Sequence, residues 1–140
     1  MTDLMKAWLA SAEMDLESIH QIIDNEFLTP VACFHAQQSV EKCLKAFLEQ
    51  QLNAVPKSHD ILNLYGRVCQ YVELPLDLVL LQKLNDLYIE ARYPGELGLL
   101  PDGKPSVSVA KDFYRLAQEL YTFMEEHLDG LSSGNKGSIK

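Results

Sequence analysis

Residues 34–48 read FHAQQSVEKCLKAFL, which sets Gln37, Gln38, Glu41, Lys42 and Lys45 inside an apolar helical pattern. A carboxylate at Glu41 and an ammonium at Lys45, one turn apart, can pair with each other. In that order an exposed pair stabilises a helix by about 0.2–0.5 kcal/mol. The same groups could instead recognise a charged ligand or the polar rim of a second chain. Projected at about 100° per residue, Cys43, Ala36, Phe47, Val40, Cys33 and Leu44 form an apolar arc, extended by Leu48 and Phe34. Gln37 falls inside that arc. Gln38, Glu41 and Lys45 cluster at its edge, while Lys42 and His35 lie further round, towards solvent. Two readings stay open: a satisfied core amide beside an ion pair, or a boundary site where a ligand or partner meets an apolar seam.

Other chemistry-bearing residues are sparser. Cys33-x-His35 supplies two metal ligands only, and the remaining cysteines and histidines lack zinc spacing. Glu17-Ser18-Ile19-His20 is a single Glu-x-x-His, where a di-iron bundle needs a pair. GELGLLPDG lacks the Lys-Ser/Thr and the preceding strand of a phosphate loop. No metal and no cofactor is expected.

The elements that must position these residues are helices. The chain has 140 residues, of which 47% are hydrophobic, enough for one domain with a sizeable core. Its net charge of −8 makes the surface as a whole a poor attractor of polyanions. The charge is uneven: residues 1–30 carry one lysine against six acids, whereas residues 31–70 carry four cations against three acids. Any anion-binding surface is therefore expected in the second quarter. Three cysteines form no disulfide framework and suit a reducing cytoplasm. No secretory leader and no membrane span is expected, because the apolar runs are short.

Periodicity of 3.6 predicts an up-and-down all-α bundle of four long helices plus a shorter one over residues 1–128, with a flexible polar tail at 129–140. The first helix should span about 3–24, capped by Thr2, with Leu4, Trp8, Ala12, Leu16, Ile19 and Ile23 inward. Thr29-Pro30 should cap and open a second helix reaching about Leu52. Ser58 is the candidate cap of a third near 59–72, and Leu74-Pro75 should restart a fourth that Pro94-Gly95 stops. After a long loop, the last helix should begin near Ser106 or Ser108 and turn Val109, Phe113, Leu116, Leu120, Phe123 and Met124 inward.

FHAQQSVEKCLKAFL, then a loop ending in SHDILNLY, then LNDLYIEARYPGE, resemble in order the HEPN (higher eukaryotes and prokaryotes nucleotide-binding) domain. AWLASAEMDLESI is similar to its opening helix, so the resemblance covers about residues 4–126. It implies an all-α bundle that commonly dimerises and often works with a minimal nucleotidyltransferase, encoded beside it or fused to it. Some members bind nucleotides. Others are ribonuclease toxins, whose arginine is followed four to six residues later by a histidine in a site shared across the dimer.

The matching positions here are Gln38, Glu41, Lys42 and Lys45 on helix two, His59 and Asp60 opening helix three, and Arg92, Tyr93 and Pro94 closing helix four. Arg92 suits a bidentate phosphate or carboxylate, Tyr93 offers a stacking face, and His59 stands near a helix N-terminus that favours anions. The chain departs from the ribonuclease pattern. YPGELG follows Arg92, and neither Arg67 nor Arg115 has a histidine four to six residues on, so the general base is missing. The expectation is a non-catalytic HEPN-like module that dimerises and partners a minimal nucleotidyltransferase, with nucleotide as a candidate ligand, as in toxin–antitoxin gene pairs. The alternatives are a free-standing nucleotide-binding protein, or a ribonuclease toxin with a degenerate site.

Overall fold

In the computed structural model, residues 2–91 and 104–137 are described. Five α-helices occur among them: α1 (Asp3–Ile22), α2 (Thr29–Leu52), α3 (Ile61–Val68), α4 (Leu78–Ala91) and α5 (Val107–Gly137). No strand occurs among the described residues. The class is all-α, as the periodicity predicts.

Thr2 opens α1, its Oγ1 accepting the Met5 N–H at 3.1 Å. The buried stripe is Met5, Leu9, Ala12, Leu16 and Ile19. The expected stripe is thus one residue out of phase at its start: Leu4 is half exposed, and Trp8 and Ile23 are only partly buried. Both phases share Ala12, Leu16 and Ile19, and only the neighbouring helices decide which flank of the stripe turns inward.

A single 3-10 turn, Glu26–Leu28, joins α1 to α2; Asn25 caps it by accepting the Phe27 N–H at 2.9 Å. Thr29 therefore does not cap α2. It is the first helical residue, Leu28 takes the cap position without a side-chain bond, and Pro30 sits in the first turn, where its missing N–H costs nothing. Helix α2 is the centre of the molecule and packs against all four others. Its residues Cys43 to Leu48 are all buried, so this helix has lost its solvent face over nearly two turns. Asn53 ends it in the left-handed conformation, φ 55°, which asparagine tolerates.

Helix α3 is shorter than predicted, and its cap is Asp60: the carboxylate accepts Leu62 N–H at 2.9 Å and Asn63 N–H at 3.1 Å. Ser58 instead accepts the Asp60 N–H at 3.1 Å, shaping the turn before the cap. Leu74-Pro75 does not start α4; residues 73–77 are non-helical, with Leu74 buried as an anchor. Asp77 accepts the Leu80 N–H at 3.1 Å where α4 begins. Ser106 does the same for α5, accepting the Val109 N–H at 3.1 Å. Ala110, Phe113, Leu116, Ala117, Leu120, Met124 and Leu128 line the inward face of α5, leaving Val109 largely exposed and Phe123 partly buried. Helical backbone continues to Gly137, into the stretch read from the sequence as a tail. The Pro94-Gly95 stop lies outside the described residues.

Helices α1 and α2 are antiparallel: Ser39 Oγ donates to the Ala12 carbonyl at 3.2 Å, a close approach that these two small residues permit. Lys111 at the start of α5 pairs with Asp24 beyond the end of α1, and His127 near its other end meets Phe47, so α5 runs alongside α2. Among the described residues no helix is long and apolar enough to cross a membrane.

Candidate functional site

Glu41 is the hub of a polar network set into the buried centre of α2. It is 5% exposed, as is Lys45. Lys45 Nζ reaches Glu41 Oε2 at 2.9 Å, and His59 Nδ1 stands 2.8 Å from the same oxygen. Gln37, fully buried, donates from Nε2 to Glu41 Oε1 and to the His59 carbonyl, both at 3.4 Å. Gln38 Nε2 donates to Gln37 Oε1 at 2.7 Å. The Lys45 ammonium also lies over the Trp8 ring, 5.6 Å from its centroid.

The network ties three elements together. Helix α2 supplies residues 37, 38, 41 and 45 at one- and two-turn spacing, α1 supplies Trp8, and the loop before α3 supplies His59. The polar side chains at the edge of the apolar arc are therefore not a wet face. Glu41 and Lys45 are buried and paired, and the half-buried Gln38 reaches them through Gln37, as a low-dielectric interior requires. The figure for an exposed Glu–Lys pair does not apply to them. His59 is the exception: its side chain is 68% exposed, while its Nδ1 and its carbonyl are both held. It does not cap α3, and the N–H groups of Leu62 and Asn63 that would attract an anion are taken by Asp60.

Lys42 belongs elsewhere. Its Nζ meets Asp15 Oδ2 at 2.7 Å, and His35 Nδ1 meets Asp15 Oδ1 at 2.9 Å. Asp15 is buried on α1, so this second cluster pins α1 to α2, and neither Lys42 nor His35 simply faces solvent. Asp15 was missed from sequence. Its signal was an acid within the inward stripe of α1, facing two cationic types spaced seven residues, or two turns, apart on α2. Gln37, read as a core amide, and Trp8, read only as an apolar residue, also join the site. Arg92 and Tyr93, expected to complete it, lie outside the described residues.

The buried thiols of Cys33 and Cys43 are inert by environment. Burial pushes Cys33 up to about 12, and burial raises Cys43 too, assisted by the charge of Asp15 and opposed by a bond to Ser39. Tyr121 is pushed up to about 12 by burial and then by Glu125 and Glu13. Among the described residues no cluster of His, Cys, Asp and Glu could hold a metal ion. Chemically, the arrangement can present one imidazole of fixed orientation at the edge of a buried, internally compensated charge network.

Comparison with known proteins agrees with this architecture. TT1696 from Thermus thermophilus is 30% identical, with a TM-score of 0.71 over 89% of this chain and 98% of that one. ST0689, described as an archaeal HEPN homologue, is 23% identical, with a TM-score of 0.64 over 91% of this chain and 98% of its own; at that identity it speaks to the fold alone. No curated protein matches the sequence. The HEPN domain family matches residues 5–127, nearly the whole helical bundle that carries the Glu41 network, and the chain belongs to that family.

Proposed function

We propose that this HEPN-family chain is a non-catalytic helical module that dimerises and partners a minimal nucleotidyltransferase, binding that enzyme, its nucleotide, or both. One observation carries the reading. Val31, Phe34 and Gln38 share a face of α2, at spacings of three and four residues. On that face Val31 and Phe34 are 42% and 47% exposed, and Gln38 continues it into the Glu41 network. Phe27, just before α2, is 79% exposed beside them in sequence. An apolar edge running into a polar, hydrogen-bonded rim has the composition of a protein interface. That no arginine has a histidine four to six residues downstream supports the non-catalytic part.

The free-standing nucleotide-binding reading finds less support. Lys45 and His59 both face Glu41, so a phosphate would compete with a buried carboxylate for them. Co-expression with the adjacent reading frame tests the proposal. The expected outcome is a stable complex with a nucleotidyltransferase that survives gel filtration, and that Val31→Glu weakens at least about tenfold. A neighbour of another class, together with no co-purifying partner, would refute it.

A further inference from the structure

The chain has four histidines, all described, and they divide by two properties: whether a carboxylate holds the ring, and whether the ring is accessible. His35 is held by Asp15, but its side chain is only 26% exposed. His20 is exposed and makes no ion pair among the described residues. His127 is partly buried and stacked on Phe123, with centroids 5.3 Å apart and planes 9° from parallel. His59 alone combines a carboxylate at 2.8 Å with a side chain 68% exposed.

That combination has a chemical consequence. An ionised carboxylate only accepts hydrogen bonds, so a neutral His59 paired with Glu41 carries its proton on Nδ1. The lone pair is then on Nε2, the nitrogen left for solvent. The carboxylate also makes Nε2 a stronger nucleophile and stabilises the positive charge the ring acquires when Nε2 is substituted. The Gln37 bond to the His59 carbonyl holds the backbone. Lys45, on the same carboxylate oxygen, offsets the negative charge that would repel an anionic reagent, and Lys57 is exposed two residues upstream; Asp60 opposes them, with its carboxylate engaged by α3.

We propose that His59 is a modification site, accepting a phosphoryl group on Nε2 from a donor with a good leaving group, such as an acyl phosphate or a phosphoramidate. In the step, the Nε2 lone pair attacks phosphorus, the N–P bond forms, and the bond from phosphorus to the leaving group breaks. The leaving group departs with that electron pair. The ring keeps its Nδ1 proton as a phosphoimidazolium facing Glu41, so no further proton transfer is needed: an acyl phosphate releases a carboxylate, and phosphoramidate, protonated on nitrogen near neutral pH, releases ammonia. The inference is independent of the partner reading, since it needs only this chain and a small donor.

The test is to incubate the native chain with potassium phosphoramidate near neutral pH and follow phosphoryl gain at each histidine by mass spectrometry. Acid lability separates N–P products from hydroxyl esters. His59 should react at least about tenfold faster than His20, His35 or His127, and Glu41→Gln, where folded, should slow it by a similar factor. In denaturant the four histidines should react alike, which gives the same comparison should Glu41→Gln fail to fold. His59→Gln should remove most of the native label. A native His59 no faster than His20, or a preference that persists in denaturant, would overturn the proposal.

Discussion

Glu41 shows why a residue's neighbours in sequence do not reveal its energetic role. The i, i+4 relation to Lys45 is the commonest of helix ion pairs and is worth little on a surface. Here both partners are about 5% exposed, and two charges taken out of water must be offset by their mutual attraction and by every remaining hydrogen bond. Gln37, His59 and the Trp8 ring supply those extra contacts. Removing one charge strands the other. Lys45→Met is therefore expected to cost about 3–5 kcal/mol of unfolding free energy, whereas Glu41→Leu/Lys45→Met, which removes both, should recover much of that loss. Urea denaturation of the two variants decides it; equal losses would show that the pair does not act as a unit.

At the scale of the element, the turn into α3 divides two roles between neighbouring residues. Asp60 satisfies two N–H groups that the helix itself cannot, while Ser58 satisfies only the N–H of Asp60. Asp60→Ala should destabilise the protein by about 1 kcal/mol and Ser58→Ala by clearly less. The loop matters beyond α3, because it carries His59 to Glu41. Loss of the Asp60 cap should therefore also lower His59's labelling preference, which links local helix stability to the site.

For the whole molecule, the core reads out through groups that burial keeps neutral. Cys33 is raised from its ordinary 9.0 to about 12 and Tyr121 from 10.0 to about 12, so the unfolded chain ionises first as pH rises. Stability from these groups is fully present below about pH 9 and is lost as pH climbs through the interval to about 12. The urea midpoint should thus fall steadily above about pH 9. In the same experiment a thiol reagent at pH 8 should modify the exposed Cys69 promptly, and Cys33 and Cys43 only at the rate of unfolding. Three fast thiols in the native protein would contradict the packing of α2.

How much of this was legible in the sequence follows the range of the interactions involved. Helix type, the Thr2 cap, the end of α2 at Leu52 and the intrusion of Gln37 into the apolar arc rest on contacts within four residues, and periodicity reports those directly. The HEPN resemblance grouped Glu41, Lys45 and His59, and those three meet. It also grouped Lys42 with them, whereas in the fold Lys42 pairs with Asp15, twenty-seven residues away on another helix. The phase of α1, with Met5 and Leu9 inward rather than Leu4 and Trp8, was equally out of reach. A helix alone fixes the spacing of its apolar residues. Which edge of that stripe is buried, and whether a charge on it is wet or paired, is decided only when a second helix removes the water.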